Sequence, residues 1–155
     1  MTLVSKTFEL YGKTYTFESG ELAKQATGAC LVKQGDTTML DTVVVSKERK
    51  NYDFFPLTVD FNEKMYAAGR IPGGKREGRP SEKATLTARM IDRPIRPSFP
   101  DGFRNEVHIV ATSLVADQVN PFDVINVMGA SLAMTLGGVP FEGPLACVRI
   151  GRNVE

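Results

Sequence analysis

The chain has 155 residues, of which 42% are hydrophobic and 24% charged, and its formal net charge is +1. This supports one buried core of ordinary composition, so the chain reads as a single globular domain over residues 1–155, or one domain cut from a longer multidomain chain. No apolar run approaches the ~18 residues of a membrane helix. The N-terminal MTLVSKTFELYGK lacks both the apolar stretch of a signal peptide and the Arg-rich, acid-poor character of a transit peptide, so the expected setting is the cytoplasm.

The opening is β-rich. Thr7–Leu10 and Thr14–Ser19 flank the turn-like Tyr11-Gly12-Lys13 and predict a hairpin. Glu21–Thr27 is too short and polar for a helix. A second hairpin is expected from Ala29–Lys33 and Thr37–Val45 around Gln34-Gly35-Asp36. TTMLDTVVV is apolar or β-branched on both parities, which predicts a strand buried on both faces. Ser46–Asp53 reads as a charged surface loop. Phe55–Lys64 alternates, with Leu57, Val59 and Phe61 pointing one way and Thr58, Asp60 and Asn62 the other, as in a half-buried strand.

The segment that follows concentrates the positive charge. From Lys64 to Arg104 there are ten Lys or Arg against four acids, while the remainder carries nine basic and fourteen acidic residues. Such a polarised field is matched to a polyanion. Within it, Gly69–Arg76 fits the first part of a phosphate-loop pattern, GxxxxGK. The pattern fails at Arg76, where a Ser or Thr hydroxyl is needed, and at Pro72, which lacks a backbone N–H. A glycine-hinged loop presenting Lys75, Arg76 and Arg79 is the expected structure.

Pro80-Ser81-Glu82 predicts a helix start with Ser81 as N-cap. Leu86, Met90, Ala84, Ala88 and Ile91 form its expected buried stripe, and Pro94 its end. Arg89 and Arg93, four residues apart, share a face, and Arg96 sits between Pro94 and Pro97. Two readings of these arginines stay open on charge alone. They grip phosphates, or Arg89 and Arg93 pair with Asp92 to hold the helix to the sheet. Asp92 and Glu82, ten residues apart and beside arginines, read as structural rather than as metal ligands.

Glu106–Val115 predicts another strand. Asn120-Pro121 then opens an apolar core helix, with Asn120 as N-cap, running to Gly137-Gly138. Gly143–Gly151 predicts a last strand. Cys30 and Cys147 stand singly in apolar runs and read as buried reduced thiols. His108, the only histidine, reads as structural.

The strings Asp53–Gly74 (DFFPLTVDFNEKMYAAGRIPGG), Glu77–Glu82 (EGRPSE), Ile91–Pro97 (IDRPIRP), Val119–Val124 (VNPFDV) and Gly129–Pro144 (GASLAMTLGGVPFEGP) are long and specific. They resemble the first catalytic-core repeat of bacterial polynucleotide phosphorylases, over nearly the whole chain. The resemblance implies an α+β fold of the ribonuclease PH type (S5 domain 2-like), a mixed β-sheet with packed helices. It implies a homotrimer that degrades single-stranded RNA from the 3′ end with inorganic phosphate, releases nucleoside diphosphates and can run in reverse. It also implies magnesium bound outside this chain, and RNA degradosome components as partners.

By the same resemblance, Lys75 and Arg76 match a basic pair at the RNA-channel constriction. Arg79 follows that pair, and Arg89, Arg93 and Arg96 match arginines facing the RNA path. The catalytic acids and phosphate site belong to the family's second repeat, so no catalytic residue is assigned here. One departure stands out. Members commonly carry two further bulky residues before the basic pair, whereas Gly74 runs directly into Lys75, leaving the loop without a side chain for base stacking. A non-catalytic RNA-binding or assembly module, and a stand-alone ribonuclease PH-type exoribonuclease, are the alternatives.

Overall fold

A computed structural model describes residues 2–49, 51–71 and 80–153. Six strands, β1 (Val4–Leu10), β2 (Lys13–Ser19), β3 (Gly28–Gln34), β4 (Thr37–Arg49), β5 (Leu57–Asn62) and β6 (Asn105–Val115), form one sheet in the order β1-β2-β3-β4-β6-β5. All neighbours are antiparallel except β5 and β6. The parallel pair is joined through helix α1 (Glu82–Ile95), and α2 (Phe122–Leu136) follows β6. The expected mixed sheet with packed helices is therefore present.

Both predicted hairpins form. Tyr11 and Gly12 take φ of 52° and 70°, the left-handed pair that matches a two-residue turn to strand twist. Lys13 accordingly belongs to β2, opposite Leu10. Glu21–Thr27 is irregular.

The helices share one face of the sheet. Cys30, Val32, Met39, Val43, Val107 and Ile109 are fully buried there, against Ile125, Ala130 and Met134 of α2 and Ile91 and Ile95 of α1. This corrects the expectation for β4. Its buried residues alternate, and Val44 on the other face is 50% exposed. The apolar run TTMLDTVVV has one covered face because both helices lie on the same side. The sheet also extends further than expected: β4 continues through Ser46 to Arg49, which pairs with Asn105 after a register shift. Asn105 Nδ2 donates to the Ser46 carbonyl at 2.9 Å, anchoring the extension.

Two helix boundaries differ from expectation. Pro94 lies inside α1 rather than ending it. Only one helical residue follows before the chain tightens into a 3₁₀ turn at Arg96–Ser98, and Ser98 Oγ donates back to the Pro94 carbonyl. α2 starts at Phe122 with no side-chain cap. Asn120 serves elsewhere: its backbone N–H and its Nδ2 both donate to Asp117, whose carboxylate also accepts from Thr37 Oγ1 and Val119 N. These donors, led by the Asn120 N–H, hold the Asp117 carboxyl well below the usual carboxylate range.

Gly143–Gly151 forms no strand. Its backbone finds another partner, since Leu145 N donates to Ser131 Oγ of α2 at 2.7 Å, and just before it Glu142 N donates to the Ser98 carbonyl. Among the described residues no strand lies beside it to complete a ladder.

Backbone closeness joins α2 to the sheet. A Cβ on Gly129 would lie 2.0 Å from Asp41 Oδ2, and one on Gly28 would lie 2.0 Å from the Ala133 carbonyl oxygen. Asp41 is fully buried, and neither of its oxygens has a hydrogen-bond partner among the described residues. Burial holds its carboxyl well above the usual range, and burial likewise pushes the Cys30 thiol, directly opposite Asp41 on β3, up to about 12.

The folded chain therefore keeps the Asp41 proton where the unfolded chain, titrating near ~3.9, has lost it. Stability from this residue falls as pH rises above about 4. Replacing Asp41 with Val should raise the stability at pH 7 by about 1–3 kcal/mol, with the gain shrinking as the pH approaches 4. Denaturant melts across that range test it; an equal or lower stability of the Val variant at pH 7 would show that the carboxyl is satisfied.

Candidate nucleic-acid interface

The basic segment departs from the sheet at the end of β5. A 3₁₀ turn, Met65–Ala68, is closed by Gly69 in the left-handed conformation (φ 69°), which suits glycine. Lys75, Arg76 and Arg79, with most of the GxxxxGK stretch, lie outside the described residues. The chain is described again from Pro80, and Ser81 caps α1 as expected. Ser81 Oγ accepts from Ala84 N at 3.0 Å and donates to Glu63 Oε2 at 3.0 Å.

Between this cap and the ends of β5 and β6 lies a groove of about 530 Å³. Phe61, Ala84 and Phe122 form part of its floor, and Lys64 and Arg70 part of its wall. Lys83 Nζ stands 4.8 Å from the Phe122 ring centre, linking the first turns of α1 and α2 by a cation–π contact.

The face that α1 buries is the predicted one in part. Ala84 and Ile91 are buried with Ala88 beside them, joined by Thr87 and Ile95, while Leu86 and Met90 are 53% and 41% exposed. The periodicity was legible in Ala84, Ala88 and Ile91, with a phase that leaves Leu86 and Met90 outside the buried stripe. Thr87 serves as a core residue because its hydroxyl donates to the Lys83 carbonyl within the helix, so its polar atom needs no outside partner.

This phase sets where the arginines go. Arg89 and Arg93 lie on the exposed face with Leu86 and Met90, and neither makes a hydrogen bond or ion pair among the described residues. Arg96 is placed differently. Its Nε and Nη2 donate to both oxygens of Asp92 at 3.1 and 2.5 Å, and Nη1 and Nη2 donate to the carbonyls of Phe55 and Leu57 at 3.2 and 3.1 Å. The guanidinium also lies 5.9 Å from the Phe55 ring centre, within an aromatic group in which Phe55 stands 4.5 Å from Phe99. Arg96, held by Asp92 and bonded to the Phe55 and Leu57 carbonyls, is thus what ties α1 to the sheet, not a network of Asp92 with Arg89 and Arg93.

The remaining predicted residues are quickly placed. Cys30 and Cys147 are free thiols, the first buried and the second partly so. His108 faces the open side of the sheet, where its Nε2 lies 2.8 Å from Asp60 Oδ2. Among the described residues no group of three or more His, Cys, Asp or Glu could hold a metal ion, and no helix is long and apolar enough to cross a membrane. Asp92 is taken by Arg96, Asp123 by Arg149, and Asp117 by its turn. These carboxylates do not fit a magnesium site.

Two solved structures carry this arrangement of sheet and helices. The exosome of Archaeoglobus fulgidus with RNA bound to the active site superposes with a TM-score of 0.59 at 18% identity, over 87% of this chain and 51% of that one. Rice Rrp46 superposes at 0.58 and 12% identity, over 91% and 58%. The fold is thereby that of a ribonuclease PH domain. The chain belongs to the 3′ exoribonuclease family, whose domain 1 model matches residues 12–140.

The curated relatives are more specific. Polyribonucleotide nucleotidyltransferases from Exiguobacterium sibiricum and Natranaerobius thermophilus are 54% and 56% identical, over 98% and 93% of this chain. The one from Bacillus cereus is 56% identical over 93%. The chain spans about a fifth of the length of these relatives.

Stability separates the roles of the arginines. Arg96→Ala should cost about 1–2 kcal/mol, allowing for its partial exposure, and Arg96→Lys should not restore it, because an ammonium cannot span a carboxylate and two carbonyls in one plane. Arg89→Ala and Arg93→Ala should stay within about 0.5 kcal/mol of the parent. Chemical denaturation of the three variants gives the comparison; equal losses at all three positions would remove the distinction.

Proposed function

We propose that this chain is the first ribonuclease PH-like part of a 3′-to-5′ phosphorolytic exoribonuclease of the polyribonucleotide nucleotidyltransferase kind, and that its share of the work is to hold RNA and build the assembly. The observation that carries this is the 54–56% identity to enzymes of that name along 93–98% of the chain. The exposed Arg89–Arg93 pair supports it, as cations on a helix with no partner among the described residues.

In this reading inorganic phosphate attacks the 3′-terminal phosphodiester of single-stranded RNA. A nucleoside diphosphate leaves, and the chain is shortened by one nucleotide. This protein's residues keep the strand on its path. Guanidinium groups at Arg89 and Arg93, one helical turn apart, suit the phosphates of an extended strand. Lys75, Arg76 and Arg79, which precede α1 in the sequence, would add their charge to that of Arg89 and Arg93. Arg96 contributes by fixing the end of α1 against β5, which sets the direction in which Arg89 and Arg93 point. The whole protein would act as a cytoplasmic homotrimer, use magnesium held outside this chain, and meet RNA degradosome components. The catalytic acids also lie outside this chain, so the isolated chain should release no nucleoside diphosphate from RNA with phosphate and magnesium. Robust release would refute that assignment.

RNA contacts of this kind are to phosphates, so binding should be tolerant of sequence and weaken with salt. Each phosphate neutralised on a single strand contributes about −0.7 to the slope of log affinity against log salt, and about four contacts would give a slope near −3. The Arg89→Ala/Arg93→Ala double variant should make the slope shallower by about 1.4. Fluorescence anisotropy with a short oligonucleotide across a salt series measures it; an unaltered slope would place α1 off the RNA path.

A further inference from the structure

The β1–β2 hairpin divides its side chains by chemistry. Directly paired residues of an antiparallel ladder share a face, and the register Lys6↔Phe17, Phe8↔Tyr15, Leu10↔Lys13 puts Lys6, Phe8, Leu10, Lys13, Tyr15 and Phe17 on one side. Glu9 and Glu18, the hairpin's two acids, fall on the other, and Glu18 is bound there by Lys33 at 2.9 Å. Pairing of Phe17 with Val32 and of Tyr15 with Gln34 identifies the first side as the one that carries the helices further along the sheet. The described residues leave the hairpin end of that side uncovered. Every residue of β1 is exposed, Phe8 by 46%.

The three rings form one surface. Phe8 lies 5.7 Å from both Tyr15 and Phe17, with planes tilted by only 16° and 11°. Two of them are held from beneath: Tyr15 Oη accepts from Gln34 Nε2 at 3.0 Å, and both Tyr15 and Phe17 pack against the core. The platform is therefore preorganised, and only Phe8 stands clear.

An aromatic patch of this size invites two kinds of occupant. Protein interfaces are depleted in lysine at their centres, whereas here Lys6 and Lys13 are interleaved with the rings and both acids are turned away. That charge arrangement complements a polyanion with flat, stackable groups. We propose that the helix-side face of the β1–β2 hairpin is a second binding site for single-stranded RNA, in which bases stack on Phe8, Tyr15 and Phe17 while Lys6 and Lys13 hold the flanking phosphates. The site would supply the base stacking that the Gly74-Lys75 junction lacks. It rests on the reading of RNA as the ligand, but uses residues separate from Arg89 and Arg93.

The test is anisotropy with two oligonucleotides of equal length, oligo(A) and its abasic counterpart, on the full chain and its variants. Loss of one stacked base corresponds to roughly 1–3 kcal/mol, or about 5- to 150-fold in affinity. Phe8→Ala should weaken oligo(A) by that factor and leave the abasic strand nearly unchanged. Phe8→Leu, which keeps apolar cover on the hairpin, should do the same with an unaltered melting temperature. Lys6→Gln/Lys13→Gln should weaken both strands and make the salt slope shallower by about 1.4. If the parent binds neither strand, both the RNA reading and this site are overturned. If the Arg89/Arg93 variant loses affinity while the Phe8 and lysine variants do not, this site alone is overturned. A change of oligomeric state in Phe8→Leu with oligo(A) affinity intact would make the face a protein contact and would also overturn it.

Discussion

The contact between α2 and the β3–β4 pair is what the rest of the structure depends on. Two glycines, Gly28 on β3 and Gly129 on α2, remove the side chains that would otherwise hold the layers apart. Backbones brought this close bury the sheet's central strands deeply, and the cost appears in what is buried with them: an acid at Asp41 and an amide at Asn126 that have no partner among the described residues. Such groups weaken a core. The same proximity fixes the sheet's orientation relative to α1, which packs beside α2 and carries the exposed arginines. The exposed arginines thus sit on a helix whose placement is decided by small residues elsewhere.

Three arginines on one short segment have two different destinies, and helical geometry explains why. Arg89 and Arg93 fall on the stripe opposite Ile91 and Ile95, so they meet solvent. Arg96 falls just past the helix end, where the 3₁₀ turn swings it over β5 and within reach of Asp92. A guanidinium is suited to both tasks because its donors lie in one plane. The partner near each one decides which task it performs.

Much of this was legible in the sequence. Alternation in Phe55–Lys64, the turn residues at Tyr11-Gly12 and Gly35, and the Ser81 cap report local chemistry, and local chemistry predicts local structure well. The misreadings share one cause, which is tertiary cover. Leu86 and Met90 looked like core because they are apolar, yet Thr87 and Ile95 occupy the core, since the sheet approaches from their side. TTMLDTVVV reads as doubly buried, yet nothing among the described residues covers its second face. Gly143–Gly151 has strand composition but no neighbouring strand. The bonds from Arg96 to the Phe55 and Leu57 carbonyls were invisible for the same reason, because they join residues about forty positions apart, whereas its pairing with Asp92 is a local i,i+4 contact. The hairpin platform could have been found earlier. Its signal is the parity of Lys6, Phe8, Lys13, Tyr15 and Phe17 against Glu9 and Glu18 across a two-residue turn.

Arg96 has one more consequence. β5 is an outer strand, and Arg96 occupies the carbonyl of Leu57, its first residue, and that of Phe55, two residues before it. Free carbonyls on a sheet's rim are where a foreign strand begins to add. With those acceptors taken, the β5 rim is guarded at its entrance by a side chain from a neighbouring helix. The β1 rim, at the opposite end of the sheet, has no such guard among the described residues. The two rims therefore differ, and the hydrogen bonds of a single arginine give this sheet a polarity that its strand order alone does not.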